Sequence, residues 1–241
     1  MQSTTDFKQL AVTGVQALHP YQPGKPIEEL ERELGISNIL KLASNENPLG
    51  ASPQAQAALT AALKTLELYP DGSGYQLKQA IAEKFGLHSN QITLGNGSND
   101  VLELIARAFL DNQRAAVISE HAFAVYQIVT QAVGAELQIA KANPADHQTM
   151  PYGHNLANLA AKITDKTRVV FIANPNNPTG TWLSTTALHS FLQRVPSDVI
   201  VVLDEAYTEY VQEAEFPNAL TWLEEFPNLI VTRTFSKIYG L

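Results

Sequence analysis

Residues 168–180 read RVVFIANPNNPTG, an apolar run that ends in a loop of asparagines and prolines. Four other apolar runs resemble it, and segments of helical composition separate most of them: AAVIS (115–119), AELQIA (135–140), DVIVVL (198–203) and NLIV (228–231). Apolar, β-branched runs that alternate with helices are typical of a parallel sheet covered by helices on both faces. The sequence therefore predicts an α/β fold with a mostly parallel central sheet.

The composition excludes several classes of partner and site. The chain has 16 basic and 24 acidic residues and a net charge of −8, which disfavours binding to nucleic acid or to an anionic membrane. Cysteine is absent, so disulfides and thiolate chemistry are excluded. The histidines show no metal-ligand spacing, and the N-terminal MQSTTDFKQL is too polar for a secretion signal. We expect a cytoplasmic protein without a metal site.

Polar motifs follow four of the predicted strands. They are GNGSND (95–100) after ITL, NPNNPTG (174–180), DEAY (204–207) and TRTFSK (232–237). In an open parallel sheet, ligands bind beyond the carboxyl ends of the strands. We therefore expect these motifs to meet at one cleft.

The first two motifs offer hydrogen-bond donors. GNGSND opens a helix, so backbone N–H groups near Gly97, together with Ser98 and Asn99, can bind a phosphate. A simple helix cap is the alternative use of this loop. In NPNNPTG the prolines stiffen the loop, which can hold the amide of Asn177 toward a ligand or form an ordinary turn.

The other two motifs carry an acid, a phenol and an amine. Asp204 ends a run that we expect to be buried, where a carboxylate needs a cationic or donor partner, either a ligand or a structural salt bridge. Tyr207 lies three residues on and can point into the same cleft. Lys237 follows the last run, and a lysine amine can attack a carbonyl carbon if it is not simply a surface residue.

One ligand satisfies all of these groups. Pyridoxal 5′-phosphate has a phosphate for the glycine loop and Ser236, and a ring nitrogen for Asp204. It also has a ring oxygen for Asn177 and Tyr207 and an aldehyde for Lys237. Phe123 is the candidate to cover the ring, although a core phenylalanine is the alternative.

The four motifs, in this order, resemble the fold-type I aminotransferases that use pyridoxal phosphate. Within that family, KLASNENPLG (41–50) and YPDGSGYQLKQAIAEKFG (69–86) are most similar to the histidinol-phosphate aminotransferases. The resemblance extends from about residue 20 to the last residue. It implies transfer of an amino group from histidinol phosphate, a small amino donor, to the 2-oxo acid 2-oxoglutarate. The products would be imidazole acetol phosphate and glutamate, in histidine biosynthesis.

The resemblance also implies roles for individual residues. Lys237 would bind the cofactor aldehyde, with Asp204 and Tyr207 as its catalytic partners and Asn177 beside them. The remaining cofactor contacts would come from Gly97, Ser98, Asn99, Phe123, Thr234 and Ser236. Relatives often have tyrosine where Phe123 stands.

A second subunit and a substrate side are implied in the same way. Tyr69 resembles the tyrosine that reaches into the neighbouring subunit's site and contacts the cofactor phosphate, which implies a homodimer. Tyr21, Asn45 and Glu46 would lie on the substrate side.

The resemblance divides the chain into two parts. Residues 1–50 would form an N-terminal arm and part of a small domain, and residues 51–241 would form the cofactor-binding large domain, incomplete at its C-terminus. Relatives continue beyond the lysine with further arginines and a C-terminal small domain. We therefore expect a partial sequence whose isolated 241 residues have little activity.

Other functions stay open at this point. A threonine-phosphate decarboxylase or an aminotransferase for aromatic or aspartate substrates would share the lysine chemistry. A chain without activity could serve as a binding or dimerisation module. A Rossmann dehydrogenase would need GxGxxG after its first strand, which GNGSND does not supply.

Overall fold

The computed structural model describes residues 7–19, 21 and 24–241. Its centre is a five-stranded, fully parallel sheet in the order β2-β1-β3-β4-β5. The strands are β1 Ala115–Ser119, β2 Glu136–Ala140, β3 Thr167–Ala173, β4 Ile200–Asp204 and β5 Leu229–Thr232. Each strand lies within or next to one of the apolar runs, so the predicted parallel sheet is confirmed.

The described residues also form eight α-helices. They are α1 Thr13–Gln16, α2 Ile27–Leu34, α3 Pro53–Ala62, α4 Tyr75–Phe85, α5 Gly97–Phe109, α6 Ala124–Ala132, α7 Leu156–Lys162 and α8 Thr185–Leu192. Ser52, Asn155 and Ser184 begin three of them by accepting a hydrogen bond from a backbone N–H in the first turn. Gly35 ends α2 in the left-handed conformation.

Helices cover both faces of the sheet because the buried strands are apolar on both sides. In β3, Val170 and Ile172 pack in one core cluster with residues of α7 and α8. The alternate residues Val169 and Phe171 pack in the other, with residues of α5 and α6. Successive side chains of a strand point to opposite faces, so one run supplies both cores. The predicted two-sided cover is confirmed.

The strand order places a crevice between β1 and β3. The chain leaves β1 for β2 on one side and then returns past β1 to β3 on the other. At such a switch point the connections diverge, and ligands bind outside the carboxyl ends of the strands.

One strand prediction is wrong. The run ITL at 92–94 has no strand assignment and pairs with none of the sheet strands. It follows a 3₁₀ turn at Ser89–Gln91, and the Leu94 side chain packs closely against Gly74, beside the start of α4. These three residues pack beside the start of α4 instead of pairing with a strand of the sheet. The loop GNGSND therefore begins α5 without following a strand.

The N-terminal part contrasts with the sheet. No described residue before Ala82 is buried. Residues 1–6, Pro20, Gln22 and Pro23 lie outside the described residues. The predicted domain boundary between residues 50 and 51 stays a prediction. Within the described chain, no helix is long and apolar enough to cross a membrane.

Candidate active site

A cavity of about 560 Å³ lies at the carboxyl edge of the sheet, next to the switch point. Its walls come from the ends of β3, β4 and β5, the starts of α5 and α6, and two N-terminal loops. All predicted site residues except Glu46 and Tyr69 line it: Tyr21, Asn45, Gly97, Ser98, Asn99, Phe123, Asn177, Asp204, Tyr207, Thr234, Ser236 and Lys237. The motifs that sequence analysis placed at one cleft are therefore adjacent in space.

Lys237 enters the cavity from the segment after β5. Its φ of +64° is in the left-handed region, which a non-glycine residue adopts only where its surroundings impose it. The following turn is held from outside, because Asn47 Nδ2 donates to the Ile238 carbonyl over 2.8 Å. A Cβ on Gly240 would lie 2.7 Å from the backbone of Gly50, so this close approach requires glycine. The amine of Lys237 lies 5.7 Å from the centroid of the Tyr207 ring.

Asp204 is the last residue of β4, and its side chain is almost completely buried. The Tyr126 hydroxyl donates to its Oδ2 over 2.8 Å. Its Oδ1 is also buried and has no hydrogen-bond partner among the described residues. Burial raises the pKa of Asp204, while the bond from Tyr126, the nearby Thr232 hydroxyl and Ala206 backbone, and the charge of Lys237 lower it. Asp204 is thus a buried acid with one acceptor oxygen left for a ligand.

The hydroxyl oxygen of Tyr207 accepts hydrogen bonds from two side-chain amides. Asn45 Nδ2 donates over 2.9 Å and Asn177 Nδ2 over 3.3 Å. With both acceptor positions used, the hydroxyl proton is free to point toward a ligand. Asn45 reaches this position from a loop in which it has a φ of +52°, a conformation that asparagine tolerates.

The three asparagine side chains of NPNNPTG make different hydrogen bonds. Asn174 exchanges hydrogen bonds with the backbone of Leu183, and Asn176 donates to the His121 carbonyl and to Thr179. These bonds hold the loop in place. Asn177 faces the cavity because the other two fix the loop around it.

The start of α5 forms one end of the cavity. Gly97 opens the helix with a φ of +76°, and Asn96 before it makes no side-chain capping bond, so its side chain does not occupy the N–H groups of the first turn. Thr234 and Ser236 lie across from them, with their hydroxyl oxygens 2.7 Å apart. Of the described residues that line the cavity, Lys237 is the one lysine or arginine. A helix N-terminus beside hydroxyl groups fits a phosphate.

Aromatic rings form the remaining wall. Phe123 contacts Tyr126 edge to face at 5.7 Å between centroids and Tyr21 at 6.4 Å. This position, at the start of α6 and on the cavity wall, fits a ring that packs against a flat ligand.

Two predicted residues lie elsewhere. Glu46 lines a neighbouring cavity of about 710 Å³, and its carboxylate pairs with Lys41 at 3.0 Å. The two cavities share Asn45, Pro175, Asn177 and Tyr207. Tyr69 is 100% exposed and lines neither cavity. Within the described chain the structure therefore does not bring Tyr69 to the site.

Sequence analysis missed two buried partners. Tyr126 lies one helical turn after Phe123, and only that spacing could have indicated it. The salt bridge considered for Asp204 is made by the next residue: Glu205 is fully buried and pairs with Arg233 at 2.6 Å. Burial raises the pKa of Glu205, and Arg233 lowers it. Glu205 directly follows the last residue of β4, and the two adjacent acids have separate partners.

Comparisons with known proteins agree with this geometry. Residues 37–241 match the family described as Aminotransferase class I and II. The chain is 58% identical to histidinol-phosphate aminotransferase 2 of Pseudomonas fluorescens and 57% identical to that of Pseudomonas aeruginosa, with 98% of the chain covered in each case. It spans about 62% of the length of the first of these relatives and 63% of the second.

A solved structure is similar over the whole chain. It is the histidinol-phosphate aminotransferase of Sinorhizobium meliloti in complex with pyridoxal 5′-phosphate, with a TM-score of 0.85 and 27% identity. The alignment covers 100% of this chain and 62% of that one.

Proposed function

The chain belongs to the family of class I and II aminotransferases, and we propose that it uses pyridoxal 5′-phosphate to transfer an amino group from histidinol phosphate to 2-oxoglutarate. The products are imidazole acetol phosphate and glutamate. The names of the similar proteins support the substrate, and the cavity supports the cofactor.

The free oxygen of Asp204 is the observation that carries the proposal. A buried carboxylate oxygen without a partner is costly, and Oδ1 belongs to a residue that lines the cavity. A ligand with a proton on a ring nitrogen would remove that cost. Lys237, the one lysine or arginine among the described lining residues, supplies the amine that an aldehyde needs.

The residues around the cavity fit the other groups of the cofactor. The start of α5, with Ser98 and Asn99, and the hydroxyls of Thr234 and Ser236 would hold the phosphate. Tyr207, with Asn177 behind it, would donate to the ring oxygen. Phe123 would pack on the ring and exclude water from one face.

When bound, the cofactor supplies an electron sink that weakens a bond at the α-carbon of the substrate. Asp204 would keep the ring nitrogen protonated, which that chemistry requires. Lys237 Nζ would supply the amine that binds the aldehyde, and it would also be the base that moves the proton at the substrate α-carbon. Tyr21, Asn45 and Glu46 would contact the substrate from the N-terminal side; Tyr21 and Asn45 line the cavity itself, and Glu46 lines the adjoining one.

A second copy of the chain completes the site. The N-terminal part exposes Leu59, Leu63, Leu66 and Leu68 beside the fully exposed Tyr69. A group of exposed leucines favours a protein interface. A homodimer would cover the leucines and carry Tyr69 to the partner's phosphate end. In sedimentation, the protein should be dimeric and Leu63→Glu should be monomeric; a dimeric Leu63→Glu variant would place the interface elsewhere.

Spectroscopy with the complete gene product tests the function. Pyridoxal phosphate should give a visible absorption band that Lys237→Ala removes. Histidinol phosphate should then convert the band to that of the aminated cofactor, and 2-oxoglutarate should restore it. Phosphothreonine is the matched control: release of carbon dioxide from it, without transamination of histidinol phosphate, would show a decarboxylase instead.

The proposal concerns a protein of the relatives' full length, of which this chain spans about 62%. That residues 1–241 alone have little activity stays a prediction, as do the cytoplasmic location and the division into an arm and a large domain. Assaying residues 1–241 beside the complete gene product tests the first of these directly.

A further inference from the structure

We propose that Tyr126 is a positioning residue that holds one oxygen of Asp204 so that the other faces the ring nitrogen of the cofactor. This inference rests on the proposed function. It assigns a task to a buried tyrosine that the sequence motifs did not indicate.

Tyr126 is buried and packs against two other aromatic rings. Its side chain is 0% exposed. Its ring stacks on Phe171 of β3, with 5.0 Å between centroids and 5° between the planes, and Phe123 meets it edge to face. A ring fixed in this way has little freedom to move its hydroxyl. The bond of 2.8 Å to Asp204 Oδ2 therefore joins two groups that are both fixed by packing.

The bond divides the carboxylate into two unlike oxygens. Oδ2 accepts from Tyr126, whereas Oδ1 has no partner among the described residues. Rotation of the carboxylate would break the Tyr126 bond and leave a buried hydroxyl unpaired, which is costly. The orientation that leaves Oδ1 for a ligand is thus favoured before any ligand binds.

Tyr126 also remains a donor over the working range of pH. Burial raises its pKa well above 10, and the charge of Asp204 raises it further. Asp204 is faced by Tyr126 from α6, Thr232 at the end of β5, the backbone of Ala206, and Lys237 from the segment after β5, and all four lower its pKa against the effect of burial. Tyr126 thereby favours the ionised carboxylate that a protonated ring nitrogen requires.

Tyr126→Phe tests the inference, because it keeps the stacked ring and removes only the hydroxyl. Two ligands are compared: pyridoxal phosphate and its analogue with a C–H group in place of the ring nitrogen. We expect the variant to bind pyridoxal phosphate about 10-fold more weakly, the usual effect of losing a hydrogen bond to a charged group. Binding of the analogue should change less than about twofold, since it does not engage Oδ1.

Two further variants separate positioning from stability. In the Asp204→Asn background, adding Tyr126→Phe should have no further effect on affinity for pyridoxal phosphate, because the carboxylate that Tyr126 orients is no longer present. Tyr152→Phe, at an exposed site outside the cavity, should behave as the wild type. Thermal unfolding without ligand shows whether each variant is folded.

Three results would overturn the inference. Equal losses for the two ligands, no loss for either, or additive losses in the double variant would each show that Tyr126 does not act through Asp204 on the ring nitrogen. Failure of the wild type to bind pyridoxal phosphate would reject the proposed function and this inference together. Binding by the wild type with any of the three results rejects the inference alone.

Discussion

Helices α3 and α5 are both rich in apolar residues, yet one is exposed along its length and the other is buried on one face. Leu63, at the end of α3, is 61% exposed, and Leu102 of α5 is 0% exposed. The difference lies in what each helix can reach: α5 packs over β3 and α6, whereas α3 has no sheet beneath it. Both segments form helices, but whether a helix is buried depends on the surface that it packs against.

The candidate site also combines residues positioned by the buried sheet with residues from the exposed N-terminal part. Asp204, Tyr207, Asn177 and Lys237 lie at strand ends or in loops fixed by the sheet. Asn45 comes from the exposed N-terminal part and is attached to them mainly by polar bonds, its own to Tyr207 and that of Asn47 to Ile238. We infer that the residues fixed by the sheet carry out the reaction and that residues of the N-terminal part contribute to substrate binding.

Activity should be the most sensitive measure of this contrast. Asp204→Ala should lower kcat on the order of 1,000-fold, the cost of removing a group preorganised toward the reacting charge. Glu46→Ala should lower it by less than about tenfold, because Glu46 is exposed and already paired with Lys41. Steady-state kinetics with histidinol phosphate gives both values. Equal losses would mean that the two regions contribute equally.

Matched leucine truncations sharpen the comparison in stability. Leu102→Ala should lower the free energy of unfolding by about 3–4 kcal/mol, because a cavity forms in a closed core. Leu63→Ala should cost less than about 0.5 kcal/mol in the monomer, where the side chain is in water. Urea unfolding at low protein concentration measures both. A large effect of Leu63→Ala under monomeric conditions would show that α3 packs against the same chain.

Arg233 connects the two regions. It pairs with buried Glu205, and its guanidinium lies 5.0 Å from the ring centroid of Phe85 at the end of α4. Arg233→Ala should destabilise the protein by about 3 kcal/mol, because it leaves a buried carboxylate without its partner. Arg107→Ala, which breaks an exposed pair with Glu103, should cost about 0.5 kcal/mol or less. Similar losses in thermal unfolding would contradict the assigned burial of Glu205.

The smallest effect concerns Asp204 in the protein without cofactor. Burial raises its pKa in the folded state, so the ionised form opposes folding at neutral pH. Asp204→Asn should therefore stabilise the cofactor-free protein at pH 7 by about 1 kcal/mol, as replacement of a strained functional group often does. The gain should shrink as the pH falls toward the ordinary value of 3.8, where the carboxyl is protonated in both states.

The matched control is Asp146→Asn, at an exposed position, which should change stability by less than about 0.5 kcal/mol at either pH. A loss of stability in Asp204→Asn at pH 7 would show that the ionised carboxylate is well solvated or paired in the folded state.

The sequence predicted most of the sheet and the meeting of its polar motifs. Runs such as RVVFIA and DVIVVL are long and apolar enough to identify strands, and the rule for strand ends then brings Asp204 and Lys237 together. The strand predicted at ITL was wrong because a pattern of three residues is too short to distinguish a strand from an extended loop. The helix α4 was seen only as part of a family resemblance.

Contacts between distant segments could not be predicted in the same way. The bond from Tyr126 to Asp204 spans 78 residues and depends on how α6 lies over the end of β4. The pair of Arg233 with Glu205 depends on which face each strand end presents. Whether the N-terminal leucines are exposed depends on which surface packs against them, and a local sequence pattern does not indicate that.

The most direct measurement is to locate the attachment point of the cofactor. The protein is loaded with pyridoxal phosphate, reduced with borohydride, digested and mapped by mass spectrometry. We predict that the mass of the reduced cofactor is found on the peptide that contains Lys237, and that Lys237→Ala carries none. Attachment at another lysine, or none in a protein that is folded and saturated with cofactor, would contradict the assignment of this cavity.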